Sequence, residues 1–310
     1  MHKFLPMINF SVTILGCGSA KPTLRHYPSA QVVDHNGNLF MVDCAEAAQL
    51  QFRRYRFRDA RLSHIFITHS HGDHCLGLAG LLSSYSLSGR TDDIHVYAPQ
   101  DMEDIFMHQL DFFVKGAQFN TVFHPIDDSV GSIIYEDDTL TVTPFPLIHK
   151  VPCFGFLFKE KTSRHFKPEC IERYGIGFEA IRDIKKGMDY TTADGTVIPN
   201  AELTTDPEPP RSYAYCCDTM PCPDNAALLQ GVDLLYHDST YAEAETALAT
   251  NNYHSTSRQA AEFAKLCNAK KLILGHYSSR YEAEDQILAD AVKVFPNSVL
   301  ADEGLKIDIK

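Results

Sequence analysis

At 310 residues the chain is long enough for one large domain, or for one domain carrying an inserted excursion. Apolar residues make up 44% and charged residues 22%, an ordinary globular mixture, and a formal net charge of −12 argues against broad, non-specific binding of polyanions. The nine cysteines are odd in number and irregularly spaced, with Cys216 and Cys217 adjacent and no Cys-x-x-Cys pair, which points to reduced thiols of a cytoplasmic protein. The opening residues lack an apolar leader core and no apolar run approaches the roughly 20 residues of a membrane span, so a soluble, non-exported protein is expected.

In chain order, Phe10 to Leu15 alternates and is β-branched, which predicts a strand ended by Gly16-Cys17-Gly18-Ser19. Gln31 to Asp34 and Leu39 to Val42 read as strands joined by a turn containing Asn36-Gly37, a strong hairpin signal. Glu46 to Arg56 reads as a helix; Arg53, Arg54, Arg56, Arg58 and Arg61 are first of all a solvated basic face. His64 to Thr68 is a short buried strand, with a helix starting near Leu76. His95 to Ala98 is a strand and Met102 to Phe113 a helix. Ile133 to Glu136 and Thr139 to Phe145 form a second hairpin, followed by a strand at Phe154 to Phe158. Residues 159–211 break the rhythm, being polar and rich in Gly and Pro, and read as an insertion. Beyond it, Tyr213 to Cys217, Leu234 to His237, Leu272 to Gly275 and Leu305 to Ile309 are predicted strands. Ser257 to Cys267 and Asp285 to Val294 are predicted helices. This alternation predicts a layered α/β domain with mixed sheets.

The sharpest local signal is Thr68-His69-Ser70-His71-Gly72-Asp73-His74. Three imidazoles and a carboxylate within six residues, in a loop after a strand, suit zinc and similar borderline metals, and Gly72 allows the sharp turn that makes them converge. Further ligands follow from one rule, the first suitable side chain beyond a buried strand: His149, Asp218 and His276. Seven ligands suit two metals. One would take His69, His71 and His149, the other Asp73, His74 and His276, with Asp218 between them; such a pair stabilises the attacking and leaving oxygens of a phosphoryl transfer. Cysteine ligation stays open but is less well organised. His254, before a helix, is a candidate proton donor to a leaving oxygen, with Asp238 as the carboxylate that orients it. Ser255 and Thr256 are equally good helix caps.

The segments Gly16-Cys-Gly-Ser-Ala-Lys-Pro-Thr23, Asp43-Cys-Ala-Glu-Ala-Ala-Gln49, the His69–His74 cluster, His237-Asp-Ser-Thr240, His254-Ser-Thr256 and His276-Tyr-Ser-Ser-Arg-Tyr281 occur in the order seen in ribonuclease Z. The chain resembles the short bacterial form of that family over nearly its whole length. The resemblance implies an αβ/βα metallo-β-lactamase sandwich, two mixed sheets flanked by helices, as a single domain over residues 1–310 with a protruding arm at 159–211. It implies a zinc-dependent endoribonuclease that removes the 3′ trailer of precursor tRNA and leaves a 3′-hydroxyl, with two Zn2+ per subunit and Mn2+ or Fe2+ as alternatives. It further implies Asp73 as general base, His254 assisting departure of the 3′ oxygen, a homodimer, and an arm that clamps tRNA. Arg182, Lys185 and Lys186 on the arm, with Arg25 and Arg280 nearer the site, are the expected phosphate contacts. The sequence departs from the family in several places, among them the loop Pro22-Thr-Leu-Arg-His-Tyr27, which lacks the Lys and Asn found in some relatives. Alanines stand at 45 and 47 where the family has glycines, Asp238 stands for a glutamate, and the arm lacks its Gly-Pro signature. The alternative is another hydrolase of the same fold acting on small phosphodiesters, thioesters or lactones.

Overall fold

The computed structural model describes residues 9–127 and 131–310; the start of the leader reading, residues 1–8, lies outside them. The first half of the chain forms β1 (Phe10–Gly16), β2 (Ala30–His35), β3 (Asn38–Cys44), α1 (Ala48–Arg54), β4 (Leu62–Phe66), α2 (Gly72–Cys75), α3 (Leu78–Leu87), β5 (Ile94–Pro99), α4 (Glu103–Phe113) and β6 (Thr121–Ile126). The β2–β3 hairpin turns at Asn36 and Gly37, both at positive φ (52° and 81°), the backbone its Asn-Gly pair favours. Then come β7 (Tyr135–Glu136), β8 (Leu140–Pro146) and β9 (Phe154–Glu160). The arm holds β10 (His165–Phe166), α5 (Glu169–Tyr174), α6 (Phe178–Lys185), β11 (Tyr190–Thr191), β12 (Val197–Ile198), α7 (Asn200–Leu203) and β13 (Thr204–Thr205). The chain closes with β14 (Ser212–Cys216), β15 (Leu234–Asp238), α8 (Thr246–Asn252), α9 (Ser257–Leu266), β16 (Lys271–Gly275), α10 (Asp285–Val292), β17 (Ser298–Leu300) and β18 (Lys306–Asp308).

Two seven-stranded sheets result, ordered β18-β1-β2-β3-β4-β5-β6 and β17-β16-β15-β14-β9-β8-β7. Both are mixed: β3 to β6 and β14 to β17 run parallel within their sheets, while the β1–β3 and β7–β9 stretches are antiparallel. Side-chain alternation explains the layering. Val33, Phe40, Val42 and Phe66 face the second sheet, where they meet Phe145, Phe156, Phe158 and Tyr213 in one core. The alternate residues Val32, Leu39, Met41 and Ile65 face the other way and are covered by α1, α3 and α4. Ala260, Ala261 and Ala264 of α9 pack the outer side of the second sheet.

Expected and observed elements differ in detail. β6 and β17 were not anticipated, because their sequences do not alternate cleanly and their strand character comes from pairing with β5 and β16. The helix expected from Leu76 begins at Leu78, after a separate single turn, α2, that carries Asp73 and His74. α1 starts at Ala48, not Glu46, because Ala47 takes the left-handed conformation (φ 66°). The arm is not a bare loop: Cys170, Ile176, Ile184, Ile198 and Leu203 give it a small core of its own.

Candidate metal centre

The parallel strands of both sheets end on the same edge, and the chemistry-bearing residues stand there. His69 to His74 follow β4, His149 follows β8, Asp218 follows β14 and His276 follows β16. Phe154 N–H donates to the Thr68 carbonyl (3.0 Å), so the two sheets are joined at this edge. Asp43, Asp218 and His276 all have left-handed backbones, with φ of 56°, 62° and 66°. For residues with a Cβ that conformation costs on the order of 1 kcal/mol each. Three such residues on adjoining strand ends mark a place where side-chain aim outweighs backbone ease.

The structure brings His69, His71, His149 and Asp218 into one group, and Asp73, His74, Asp218 and His276 into a second, each with ligand atoms within 4.8 Å of one another. Asp218 belongs to both, and its Oδ2 lies 3.2 Å from the Nε2 atoms of His69 and His74 alike. His69 Nε2 and His149 Nε2 approach His71 Nδ1 to 3.0 and 3.2 Å, and His74 Nε2 lies 3.4 Å from His276 Nε2. Cys217 lies against His74 and His276.

The far nitrogens of these rings are held from behind. His74 Nδ1 meets Asp43 Oδ2 at 2.7 Å, and His69 Nδ1 meets the Thr68 hydroxyl at 2.9 Å, which itself donates to Asp43 at 3.0 Å. His276 Nδ1 meets the Thr240 hydroxyl at 2.9 Å, and that hydroxyl donates to Asp238 at 2.7 Å. His149 Nδ1 sits 3.3 Å from the Tyr253 carbonyl. With those nitrogens protonated, the nitrogens facing inward are lone pairs that repel one another unless a cation lies between them. Asp218 Oδ1 is buried without a hydrogen-bond partner, although His254 Nδ1 lies 2.9 Å away out of line. Converging bare nitrogens and an orphaned carboxylate oxygen fit a divalent metal, and the rings of His69, His74, His149 and His276 have the outer partners such sites use.

Electrostatics agree for His69, Asp218 and Asp73, whereas at His74 burial is outweighed by Asp43, Asp218 and Asp73, which raise its pKa well above the ordinary imidazole value, so a cation there has a proton to displace. Burial lowers the His69 pKa to about 4, with the charge of His74 adding to it, so the ring is neutral and free to ligate. Burial alone would raise the Asp218 carboxyl; the charge of His276 and the close approach of the His254, His69 and His74 rings outweigh it and hold the carboxyl well below the usual range. Asp73 behaves likewise, burial being overcome by the His276 ring beside it and the charges of His74 and His276. Its Oδ2 also accepts from Ala20 N–H at 2.6 Å.

The chain is similar to known proteins along its whole length. Ribonuclease Z of Bacteroides fragilis is 45% identical over 304 residues, covering 98% of this chain and 100% of that protein. Ribonuclease Z of Phocaeicola vulgatus is 45% identical over 305 residues, 98% of this chain and 99% of that one. The chain belongs to the ribonuclease Z family. Among solved structures, human tRNase Z, short form, superposes with a TM-score of 0.69 at 26% identity, over 97% of this chain and 99% of that one. The metallo-β-lactamase fold protein YhfI of Bacillus subtilis gives 0.68 at 17% identity, over 97% and 99%. Family models also match: anti-Pycsar protein Apyc1 over residues 10–167, and the beta-lactamase superfamily domain over residues 203–277. The fold is therefore the metallo-β-lactamase α/β sandwich, the chain is a hydrolase of that fold, and fold and family together imply a divalent metal.

The remaining sequence-predicted residues fall in two sets. His254 Nδ1 meets Asp238 Oδ2 at 2.9 Å, so the shorter side chain at 238 does reach. Asp238 is fully buried and also accepts from Thr219 N–H and from the backbone and hydroxyl of Thr240. Burial opposes charge on His254, but Asp238 and Asp218 prevail and push its pKa up to about 11. Thr256 caps α9 in a capping box with Gln259, and Ser255 donates to the Thr219 carbonyl, so those hydroxyls are structural. The second set does not gather at the centre. Arg25 is committed to Glu284 and the Tyr281 carbonyl, and Arg280 to Glu245 and the face of Tyr241. Arg182, Lys185 and Lys186 are exposed on α6 and the turn after it, Arg182 paired with Asp138. Sequence reasoning missed Asp43 and Thr240, which hold the His74 and His276 rings. Asp43 stands in the last residues of β3, where the same strand-end rule would have found it.

Proposed function

We propose that the chain is an endoribonuclease that hydrolyses one phosphodiester of precursor tRNA, releasing the 3′ trailer and leaving a 3′-hydroxyl on the tRNA. The carrying observation is the pair of ligand groups sharing Asp218, with His254 held beside them on Asp238. The family relationship and the human short-form tRNase Z neighbour support the substrate class.

Two Zn2+ ions, with Mn2+ or Fe2+ as alternatives, would be held by His69, His71, His149, Asp73, His74, His276 and the shared Asp218. They would supply positive charge that draws in the phosphate and lowers the pKa of water. Asp73, kept ionised by its neighbours, accepts the proton of the attacking water. His254, protonated at neutral pH, has Nδ1 tied to Asp238, which leaves Nε2 to donate to the departing 3′ oxygen. Asp43 and Thr240 fix the His74 and His276 rings and so the aim of their lone pairs.

The net charge of −12 leaves RNA binding to local patches, and the arm at 159–211, with Arg182, Lys185 and Lys186 outside its own small core, serves as the clamp. The active species is a homodimer in which one subunit's arm holds tRNA for the other. Cleavage of a 3′-extended precursor tRNA, with a small phosphodiester in parallel, tests the proposal. Turnover of the small ester with no cut in tRNA would move the substrate class and leave the metal centre intact.

A further inference from the structure

Gly16-Cys17-Gly18 closes β1 beneath the loop that carries Arg25 and His26, and Cys17 is fully buried there. Its Sγ lies 3.3 Å from His26 Nδ1 and 3.7 Å from Glu303 Oε1, and the same His26 Nδ1 lies 3.0 Å from Glu303 Oε2. The three groups come from the end of β1, the loop after it, and the turn between β17 and β18. None of them belongs to the seven side chains of the centre described above.

We propose that Cys17, His26 and Glu303 form a second metal site, taking one thiophilic divalent cation such as Zn2+ and tying the loop over the catalytic edge to the C-terminal segment.

Geometry carries this. Zinc bonds of about 2.3 Å to sulfur and about 2.0 Å to nitrogen and oxygen, at tetrahedral angles, separate the ligand atoms by roughly 3.3–3.6 Å. The observed separations, 3.3 Å from Sγ to Nδ1, 3.7 Å from Sγ to Oε1 and 3.0 Å from Nδ1 to Oε2, are of that order, the last two reaching different oxygens of the one Glu303 carboxylate. The other ring nitrogen, His26 Nε2, is buried without a hydrogen-bond partner, and Glu284 Oε1 lies 3.5 Å from it. A carboxylate behind the far nitrogen is what a ligating imidazole ordinarily has. Tyr27 N–H fixes the Glu303 carboxylate at 2.8 Å.

The chemistry selects the cation. A thiolate disfavours magnesium and calcium and favours zinc, cobalt or iron. The divalent ion enters as the Cys17 thiol gives up its proton to solvent, and thiolate plus carboxylate then balance the charge within a buried place. The consequence reaches the other centre mechanically. Ser19 N–H, in the same loop, donates to the Tyr277 carbonyl at 3.0 Å, and Ala20 N–H donates to Asp73.

The test is a cobalt titration of metal-free protein, read by the thiolate-to-cobalt charge-transfer band, with zinc content per chain as the second measurement. Cys217→Ser is run in parallel because Cys217 lies near His74 and His276. The band is expected in the wild type and in Cys217→Ser, and absent from Cys17→Ala and His26→Ala. Zinc content is expected to fall by one ion per chain in Cys17→Ala. Should Cys17→Ala not fold, Glu303→Gln keeps the side-chain shape and carries the same expectation for zinc content. No band in the wild type, a band that survives Cys17→Ala, or unchanged zinc content overturns the proposal.

Discussion

Replacing His254 by alanine isolates protonation of the leaving group. The ring is 15% exposed at its side chain, and water can fill its place. Asp238 keeps three of its four donors, Thr219 N–H and the backbone and hydroxyl of Thr240, so the loss in stability is about 1–2 kcal/mol. The rate loss is larger. A positioned general acid contributes about 100- to 10,000-fold, or roughly 3–5 kcal/mol of barrier at 1.36 kcal/mol per tenfold. Single-turnover cleavage of a 3′-extended precursor tRNA measures it, with metal content and melting temperature as controls. A substrate with sulfur in place of the departing 3′ oxygen sharpens the test, because a thiolate leaves without a proton. His254→Ala is expected to lose about 100-fold or more on the oxygen ester and to approach wild-type rate on the sulfur ester. Equal losses on both substrates, or a variant within about threefold of wild type on the oxygen ester, would refute the assignment.

Other outcomes are expected. Asp218→Ala should lose metal from both groups, whereas His149→Ala should lose it chiefly from one; metal analysis of the purified variants distinguishes the two. Ala47→Gly relieves a left-handed backbone (φ 66°) and should raise stability by about 0.5–1 kcal/mol in denaturant unfolding; a loss would refute the strain. Glu160 joins the sheets through Arg211 and His35, and despite burial those partners hold its pKa at about 2 against an ordinary 4.5. A depressed carboxylate stabilises above its unfolded pKa. This clamp is therefore fully present above about pH 4.5 and is lost as pH falls toward 2, worth about 2–3 kcal/mol, and Glu160→Gln should flatten stability across that window. Reversing Arg182, Lys185 and Lys186 to glutamate should raise KM for precursor tRNA at unchanged kcat and lower the salt dependence of binding.

Much of this was legible because a few positions carry several constraints at once. His69 to His74 stand in one loop, and His149, Asp218 and His276 each follow a buried apolar run, so the candidate ligands that the structure gathers are visible without knowing which strands pair. Pairing itself was not legible. β6 and β17 are strands because β5 and β16 offer them partners, a tertiary effect that overrides weak local patterning. The left-handed backbones at Asp43 and Ala47 likewise have no local signal; at 47 the alanine accepts the strain that a glycine would avoid. At 45 the tight approach is made from the other side, since a Cβ on Gly77 would stand 2.0 Å from the Ala45 carbonyl oxygen. Charge alone marks Arg25 and Arg280 as phosphate contacts, because their carboxylate partners, Glu284 and Glu245, stand 259 and 35 residues away in sequence.

The proposed function has the Asp218-linked centre cut precursor tRNA with Asp73 as the proton acceptor. A cleavage assay on a 3′-extended precursor tRNA, with and without chelator and beside Asp73→Ala, tests it. A single cut that releases the 3′ trailer, and that disappears with chelator and in Asp73→Ala, is expected. A cut that persists in Asp73→Ala, or no cut from protein shown to hold both metals, would contradict it.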